Sequence, residues 1–369
     1  MAVDHQRRVR PIRVFVVDDS PLIRILLSDM LNAHPDFELV GTASNGQSAL
    51  DQIALLRPDV ITMDIQMPGM DGLETLRRIM AQMPTPVVML SSYSKEGAEL
   101  TFQALELGAV DFITKPHPVF STRIEEIRDQ ILDKLKTARR IKVKRLTPEP
   151  SVRIGRPNKT AAPKLRRPHC VNVVSIGVSA GGPKALMEII PTLPADIPAA
   201  FLIAQHMPPG YTRALAERLN SLSNVQVKEA EAGDEILHGT VMIAEGGHDL
   251  TVAKNGRSYV ADLNRDGGAC KFRPSIDRMM VSAAEHFRER AIGVIMTGMC
   301  SDGVQGVRAI KEKRGRVIAQ DEETSAVYGM NKLAVQSGVV DRVVPLNGIV
   351  PTVREMLEGF QREGESQTS

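Results

Sequence analysis

Residues 171–182 read VNVVSIGVSAGG, and this segment is the strongest indication of the fold of the C-terminal half of the chain. Its first six residues are rich in valine and isoleucine, as a buried β-strand is. The glycine-rich turn that follows carries Ser179, and a helical pattern begins near Pro183. A strand that passes through a tight turn into a helix is the repeating unit of a parallel α/β sheet.

The same alternation continues on the C-terminal side of this stretch. Further strands are predicted at 199–205, 241–244, 291–296, 316–319 and 342–345. Helices are predicted near 183–190, 211–220, 275–290, 304–313 and 349–360. This alternation predicts a doubly wound parallel sheet of the Rossmann-like type.

The N-terminal side shows a second, independent set of alternating patterns. Strands are predicted at 13–17, 38–43, 60–64, 86–90 and 111–113. Between the first two, residues 22–31 place apolar side chains three and four positions apart, which forms one apolar helix face. Five strands alternating with helices predict a flavodoxin-like, doubly wound parallel sheet.

The length of the chain agrees with two domains, since 369 residues exceed what a single hydrophobic core usually supports. We place an N-terminal domain at 11–136 and a C-terminal domain at 171–362. Residues 137–170 take in the end of a helix predicted at 121–144 and a stretch rich in Lys, Arg and Pro, which is typical of a linker. A role for this basic stretch in binding a polyanion is the weaker interpretation.

Composition narrows the class of protein. With 43% hydrophobic and 24% charged residues, each half has enough apolar material for a core. The net charge of +2 argues against a broad surface for nucleic acid. Three widely spaced cysteines suggest neither a disulfide framework nor a zinc site, so a reducing cytoplasm is expected. No apolar stretch approaches about 18 residues, so we expect a protein that is not membrane-embedded.

Polar residues follow the strands of the N-terminal half, at the sheet edge where open parallel sheets bind ligands. They are Asp18, Asp19, Asp64, Ser91 and Lys115. Three carboxylates at one edge would repel one another unless a cation such as Mg²⁺ neutralised them. Asp64 would then be the nucleophile toward a phosphoryl group, with Lys115 balancing charge. The alternative, that a single such aspartate only caps a helix, does not account for the whole set.

Ser179 is the candidate nucleophile of the C-terminal half, because the setting G-x-S-x-G presents a hydroxyl at the edge of a sheet. A dinucleotide-binding loop is disfavoured, since a glycine would be needed where Ser179 stands. A plain turn capped by serine stays open on this motif alone. His206 closes the predicted strand 199–205 and should lie at the same edge as a base, whereas His248 lies in a glycine turn and is a weaker candidate.

Two aspartates qualify as the residue that orients the histidine. Asp302 follows the strand 291–296, and Asp321 follows the strand 316–319. Either could instead cap the helix after it, and spacing alone favours Asp302 only modestly.

The N-terminal half resembles the receiver domain of two-component response regulators over about residues 13–136. The resemblance rests on Asp18-Asp19, Asp64, Met67-Pro68-Gly69-Met70-Asp71-Gly72, Ser91 and Phe112-Ile113-Thr114-Lys115-Pro116. It implies Mg²⁺ bound by Asp19, Asp64 and the carbonyl of Gln66, with Asp18 acting through water. It further implies phosphorylation of Asp64 by a histidine kinase phosphodonor and phosphoryl contacts from Ser91 and Lys115. Phe112 would be an aromatic switch, and Lys115-Pro116 would carry a cis peptide bond.

The C-terminal half resembles the chemotaxis protein-glutamate methylesterase family. The matching motifs are Ile176-Gly177-Val178-Ser179-Ala180-Gly181-Gly182, Gln205-His206-Met207-Pro208, Phe272-Arg273-Pro274-Ser275, Met296-Thr297-Gly298-Met299, Asp302-Gly303 and Asp321-Glu322-Glu323-Thr324-Ser325. The resemblance implies Ser179 as nucleophile, His206 as base and Asp302 as the orienting acid. It places the oxyanion hole at backbone N–H groups near His206 and Met299, and it implies no cofactor in the esterase site.

The sequence departs from that family pattern in three places. Ala180 stands where Thr is frequent, Cys300 where Gly is frequent, and Glu245 where Pro is frequent. None of these removes a member of the triad. The alanine puts some hydrogen bonding around the triad in doubt, and we interpret Cys300 as a small buried residue in preference to a thiol nucleophile.

Together these features predict a phosphorylation-activated hydrolase of glutamyl methyl esters on methyl-accepting chemoreceptors, with deamidation of receptor glutamines as a second activity. We expect the unphosphorylated receiver to cover the triad and phosphorylation to open it. Two alternatives are a receiver-coupled transcription regulator, for which no helix-turn-helix pattern is evident, and a noncatalytic adaptor with a degenerate triad.

Overall fold

The computed structural model describes residues 10–115, 124–141, 143, 171–264 and 273–366, without side-chain detail for 124–127 and 363–366. The chain divides into two compact units, residues 1–149 and 150–369. In the part of the chain that is described, no helix is long and apolar enough to cross a membrane.

The first unit is a five-stranded parallel sheet with helices between its strands. The strands are β1 (Ile12–Val17), β2 (Phe37–Ala43), β3 (Val60–Asp64), β4 (Val87–Ser91) and β5 (Asp111–Thr114). The helices are α1 (Pro21–Asn32), α2 (Gly46–Leu56), α3 (Gly72–Gln82), α4 (Lys95–Glu106) and α5 (Ile124–Ala138). Local sequence accounts for the starts of three helices, because the side chains of Asn45, Asp71 and Ser94 accept N–H bonds as N-caps.

The strand order of the first unit is β2-β1-β3-β4-β5. Successive strands lie on opposite sides of β1, so the crevice between the carboxyl ends of β1 and β3 is the switch point of the sheet. One face of the sheet is closed by a core in which Val14 and Val16 of β1 meet Leu27 of α1 and Leu135 of α5. The predicted flavodoxin-like architecture is confirmed.

The second unit contains a seven-stranded parallel sheet and an antiparallel hairpin. The sheet strands are β6 (Val173–Val178), β7 (Ala200–Gln205), β8 (Gln226–Glu229), β9 (Thr240–Ile243), β12 (Ala291–Ile295), β13 (Arg316–Gln320) and β14 (Arg342–Val344), and the hairpin is β10 (Asp249–Asn255) with β11 (Ser258–Asn264). The helices are α6 (Gly182–Ile189), α7 (Tyr211–Leu222), α8 (Ile276–Phe287), α9 (Val304–Glu312), α10 (Met330–Gln336) and α11 (Ile349–Ser366).

The strand order of the second unit is β14-β13-β12-β6-β7-β9-β8. The chain fills one side of β6 with β7, β8 and β9 and then returns to the other side with β12. The switch point therefore lies at the carboxyl end of β6, between β7 and β12. Helix α8 packs on the sheet through Ile276, Met279 and Met280, which are fully buried. The predicted doubly wound parallel sheet is confirmed here as well.

Sequence patterns missed four elements of the second unit and misjudged the end of one helix of the first. Strand β8 reads QVKE and has too few apolar residues to show a pattern. The hairpin β10–β11 carries Asn255-Gly256 at its turn, a signal that should have predicted it. Helix α10 has only seven residues. Helix α5 ends at Ala138, earlier than predicted, and most of the predicted linker at 137–170 lies outside the described residues.

Candidate active sites

Ser179 lies one residue beyond β6, at the switch point of the second sheet. Its backbone N–H donates to the carbonyl of Thr297 (3.0 Å), and its own carbonyl accepts from Gly182 (2.9 Å). Gly181 adopts a left-handed conformation (φ 74°), which lets the chain turn directly into α6. The predicted strand-turn-helix setting is confirmed, and it holds the serine at the sheet edge.

His206, which follows β7, bridges Ser179 and Asp302, an aspartate that follows β12 on the other side of β6. Its Nδ1 lies 3.2 Å from Ser179 Oγ, and its Nε2 lies 2.8 Å from Asp302 Oδ2. A carboxylate only accepts hydrogen bonds, so in the neutral ring Nε2 carries the proton and Nδ1 presents its lone pair to the serine hydroxyl. The three side chains therefore form a continuous hydrogen-bonded chain, which is the arrangement that a nucleophile, a base and an orienting acid require.

The choice between the two aspartates follows from strand order. Asp302 comes after β12, which pairs directly with β6, whereas Asp321 comes after β13, one strand further out. The carboxylate of Asp321 instead accepts from the N–H (3.0 Å) and the hydroxyl (2.6 Å) of Thr324, so it caps a turn. The structure brings Asp302, and not Asp321, to the histidine.

Asp302 is held by four donors. Its Oδ1 accepts from Ser275 Oγ (3.2 Å) and the N–H of Asp277 (2.9 Å), and its Oδ2 accepts from the N–H of Ile276 (2.8 Å) besides His206. Burial opposes ionisation of this carboxyl, but the bonds from His206 and the helix N–H groups outweigh it and lower the pKa of Asp302. A carboxylate of this kind can stabilise an imidazolium.

The electrostatics of His206 favour its charged form. Burial lowers the pKa of the ring, whereas Asp302 and the thiol of Cys300 raise it, and the net effect is to raise the pKa of His206 to about 9. Cys300 Sγ lies 3.7 Å from His206 Nδ1, on the nitrogen that faces the serine. The prediction of a small buried residue at this position is incomplete, because the half-buried thiol contacts the imidazole of His206.

Thr297 and Gln205 support the triad, and sequence analysis assigned them no role. Thr297 Oγ1 donates to the carbonyl of Ala180 (2.8 Å) and accepts from Val327 N–H (2.9 Å). The Nε2 of Gln205 donates to the carbonyl of Ser179 (2.9 Å). Thr297 and Gln205 thus hold the turn at 179–180 through its backbone carbonyls. These bonds do not need a side-chain hydroxyl at position 180, where this chain has Ala180. Their positions at strand ends beside the motif residues were the available signal.

The remaining predictions for this half have mixed outcomes. His248 lies 3.1 Å from Glu245 Oε2, within its own turn. The backbone N–H of His206 donates to the carbonyl of Val178 (3.1 Å), so it is committed to the sheet, and its prediction as an oxyanion donor disagrees with this arrangement. The N–H of Met299, a residue that is 43% exposed, stays a prediction. Phe272 lies outside the described residues.

In the first unit, three predicted carboxylates and the predicted lysine meet at the switch point. Lys115 Nζ lies 2.9 Å from Asp18 Oδ2 and 2.7 Å from Asp64 Oδ2. Carboxylate oxygens of Asp18, Asp19 and Asp64 lie within 4.8 Å of one another, close enough to share one cation, and such oxygens are the ligands that Mg²⁺ prefers. The donor set therefore fits the predicted metal.

Charge in this cluster is only partly balanced. Burial raises the pKa of Asp64 to about 6, against the opposing hydrogen bond from Lys115. Burial of Lys115 would lower its pKa, but its contacts with Asp64 and Asp18 prevail and raise it. One ammonium thus contacts two of the three carboxylates.

Ser91, Phe112 and Gln66 are the other residues predicted for the N-terminal site. The hydroxyl of Ser91 donates to the carbonyl of Gly97 in α4 (3.0 Å) and lies 2.8 Å from Thr101 Oγ1. Phe112 is buried, with Lys134 Nζ 5.1 Å from the centre of its ring. The N–H of Gln66 donates to Asp64 Oδ1 (3.3 Å), and its carbonyl as a metal ligand stays a prediction. The bond between Lys115 and Pro116 lies outside the described residues.

Each of the two units of the chain is similar to known proteins. A family model described as CheB methylesterase matches residues 174–353, and one described as response regulator receiver domain matches residues 14–124. The chain is 43% identical to a protein-glutamate methylesterase/protein-glutamine glutaminase of Pyrococcus abyssi over 96% of both chains.

It is 44% identical to a protein of Syntrophomonas wolfei named protein-glutamate methylesterase/protein-glutamine glutaminase 1, over 94% of this chain and 99% of that one. The crystal structure of the Thermotoga maritima CheB methylesterase catalytic domain is 40% identical, with a TM-score of 0.49, and covers 51% of this chain and 97% of its own. The extent and identity of the full-length matches show that the chain belongs to the CheB methylesterase family, with a receiver domain before the methylesterase domain.

Proposed function

We propose that this chain hydrolyses glutamyl methyl esters on methyl-accepting chemoreceptors, with Ser179 as the nucleophile. The observation that carries the proposal is the continuous contact from Ser179 Oγ to His206 Nδ1 (3.2 Å) and from His206 Nε2 to Asp302 Oδ2 (2.8 Å). The names of two full-length relatives support the substrate class, since both are protein-glutamate methylesterases.

The proposed reaction proceeds through an acyl-enzyme. Ser179 Oγ attacks the ester carbonyl while its proton passes to His206 Nδ1, and the imidazolium is stabilised by Asp302. The same proton then goes to the leaving methoxide, which departs as methanol. A water molecule, deprotonated by His206, cleaves the acyl-enzyme and releases the glutamate carboxylate together with the free serine.

The same acyl chemistry extends to glutamine side chains. Attack of Ser179 on a glutamine amide would form the same acyl-enzyme, with ammonia as the leaving group in place of methanol. The relatives carry protein-glutamine glutaminase in their names, which supports deamidation as the second activity.

We further propose that phosphorylation of Asp64 by a histidine kinase phosphodonor raises the esterase activity. The carboxylates of Asp18, Asp19 and Asp64 and the carbonyl of Gln66 would hold Mg²⁺, which supplies charge neutralisation for phosphoryl transfer. Lys115, already 2.7 Å from Asp64 Oδ2, would balance charge on the phosphorylated aspartate, with Ser91 as a further contact. A cytoplasmic site of action belongs to the same proposal.

Methanol release from methylated receptor tests the esterase directly. We expect Ser179→Ala and His206→Ala each to lower kcat by several orders of magnitude, because triad members act as a unit. Ser221→Ala is the matched control, since this serine is exposed and its hydroxyl donates to the carbonyl of Arg218 within its own helix. Methanol release at the wild-type rate by Ser179→Ala would refute the assignment of the nucleophile.

A serine-reactive phosphonate separates the enzyme from a noncatalytic adaptor. Labelling of the wild type that is lost in Ser179→Ala is expected of an active nucleophile. An adaptor with a degenerate triad would show no labelling that depends on this residue.

A further inference from the structure

Two aspartates link the N-termini of α8 and α9, each accepting hydrogen bonds from the first N–H groups of the other helix. Asp302, just before α9, accepts from the N–H groups of Ile276 and Asp277 at the start of α8. Asp277, in the first turn of α8, accepts from the N–H groups of Gly303 (2.9 Å) and Gly306 (2.7 Å) at the start of α9. We call this arrangement the aspartate exchange.

Helix α9 depends on this exchange because its own N-cap lacks a side chain. Gly303 occupies the N-cap position in a left-handed conformation (φ 101°). A capping side chain normally accepts from the N–H two or three residues into the helix. Asp277 supplies this bond from α8, through the same oxygen that holds the N–H of Gly303 itself.

The position of Gly303 determines the position of the triad acid. Asp302 is bonded covalently to Gly303, and its carboxylate bridges α8 and His206. Anchoring Gly303 to α8 through Asp277 therefore fixes the backbone from which Asp302 reaches the imidazole. Small displacements of such a group are costly, since about 1 Å can lower a rate roughly a hundredfold.

The aspartate exchange also offsets the repulsion between two neighbouring, partly buried carboxylates. Each carboxylate meets backbone donors at a helix N-terminus, where negative charge is favoured. Burial and the charge of Asp302 raise the pKa of Asp277, against the bonds from Gly306 and Gly303. The two acids are thus held in place by the peptide groups of two helices.

We propose that Asp277 is a positioning residue for the triad, which holds Asp302 in register with His206 by capping α9. This inference rests on the proposed esterase function and deepens it. The hydrogen bonds of Asp277 in the described part of the chain run to Asp302, Gly303 and Gly306, and not to the serine or the imidazole. Its effect reaches the reaction through the carboxylate of Asp302.

Three variants of the full chain test the proposal. Asp277→Ala removes both bonds to α9, whereas Asp277→Asn keeps an oxygen acceptor for them. Asp341→Ala is the matched control, because its carboxylate accepts from the N–H of Val317 (2.8 Å) and contacts Lys311 near the other end of α9. The measurements are kcat and KM for methanol release and the pKa of the His206 ring by NMR.

We expect Asp277→Ala to lower kcat roughly tenfold or more with little change in KM, and to move the His206 pKa down toward 6.5. Asp277→Asn should stay within a few-fold of the wild type and keep the raised His206 pKa, and Asp341→Ala should change neither quantity. A wild-type His206 pKa in Asp277→Ala would overturn the proposal, and so would an Asn variant as impaired as Ala.

The ring pKa is read in the resting enzyme, which separates this inference from the proposed function. If Ser179→Ala shows that ester hydrolysis does not depend on the serine, the proposed function fails. The His206 titration in the Asp277 variants still decides whether Asp277 positions Asp302.

Discussion

The two nitrogens of the His206 ring face different partners, and this orientation determines the chemistry at the scale of single residues. Nδ1 meets both Ser179 Oγ and the thiol of Cys300, while Nε2 is occupied by Asp302. Since only a neutral Nδ1 can accept the serine proton, every group that stabilises the imidazolium also limits the fraction of active base.

The raised pKa of His206 predicts the pH dependence of the reaction. Because the base must be neutral, kcat/KM should fall about tenfold for each pH unit below about 9, the value to which its surroundings raise this pKa. Replacing Cys300 by Gly removes one stabilising contact of the imidazolium and should shift this acid limb to lower pH. A pH profile of the wild type and Cys300→Gly checks both statements, and an acid limb that does not move would show that the thiol leaves the base unaffected.

The same shift predicts how stability changes with pH. A histidine whose pKa is about 6.5 when unfolded and about 9 when folded stabilises the fold fully below pH 6.5. This contribution is lost as the pH rises through 9. Urea titrations of the second unit within the full chain should therefore show a decline between these pH values that is smaller in His206→Ala.

At the scale of elements, the packing of α8 on β6 positions the donors that hold Asp302. Gly177 in β6 leaves room for Ile276, the first residue of α8, whose N–H donates to Asp302. A Cβ at position 177 would lie 2.2 Å from Cγ2 of Ile276. The first glycine of the serine motif is therefore required for packing between a strand and a helix.

Gly177→Ala should accordingly impair both stability and activity. Overpacking of this kind costs roughly 1–3 kcal/mol, and displacement of α8 should also lower kcat by loosening Asp302. Gly359→Ala is the control, since a Cβ there meets nothing within 4 Å in helix α11. Chemical denaturation and methanol release measure the two effects, and wild-type values for Gly177→Ala would contradict this account of the packing.

Helix α4 restrains one of the residues expected to contact a phosphoryl group. Ser91 is fully buried, and its hydroxyl is bonded to Gly97 and Thr101 of α4. To reach a phosphoryl group on Asp64, the hydroxyl would have to leave these partners. Thr101 therefore opposes the reorientation that phosphorylation would require.

Thr101→Val should strengthen binding of beryllofluoride, a phosphoryl analogue, to the receiver. Loss of one buried hydrogen bond of about 1 kcal/mol corresponds to roughly fivefold tighter binding. Thr75→Val is the control, because Thr75 is equally buried and its hydroxyl donates to the carbonyl of Asp71, the N-cap of its own helix α3. Equal affinities of the two variants would argue against a restraint by Thr101.

At the scale of the whole molecule, the chain joins a receiver domain, which carries the proposed phosphorylation site, to a methylesterase domain, which carries the proposed triad. The proposed activation by phosphorylation would need only a modest free energy, since a tenfold change in activity corresponds to about 1.4 kcal/mol. Differential stabilisation of two states of the chain by this amount is enough for a regulatory response.

We expect a small-molecule phosphodonor such as acetyl phosphate, with Mg²⁺, to raise methanol release by the wild type and not by Asp64→Asn. Asp59→Asn is the control, because its carboxylate accepts from Arg13 N–H (2.9 Å) at the opposite end of β3. Activation of Asp64→Asn to the same extent as the wild type would exclude Asp64 as the phosphorylated residue.

Local sequence patterns were enough to predict the two doubly wound sheets and most of the candidate residues at their sites. This was possible because alternating strands and helices force parallel pairing, which gathers the residues after each strand at one edge. Asp18, Asp64 and Lys115, and likewise Ser179 and His206, could be predicted in this way. The strands that precede these residues have strong apolar patterns, so they can be recognised from the sequence without knowledge of the tertiary fold.

The partners that these residues contact could not be predicted in this way, because they depend on how the strands and helices pack in three dimensions. Asp302 and Asp321 both follow strands, and the choice depends on β12 being the neighbour of β6, a property of strand order that no local pattern encodes. The commitment of the His206 N–H to Val178 and the bonds of Asp277 to α9 likewise join residues distant in sequence. Such contacts are set by packing of whole elements, because each depends on where another element ends.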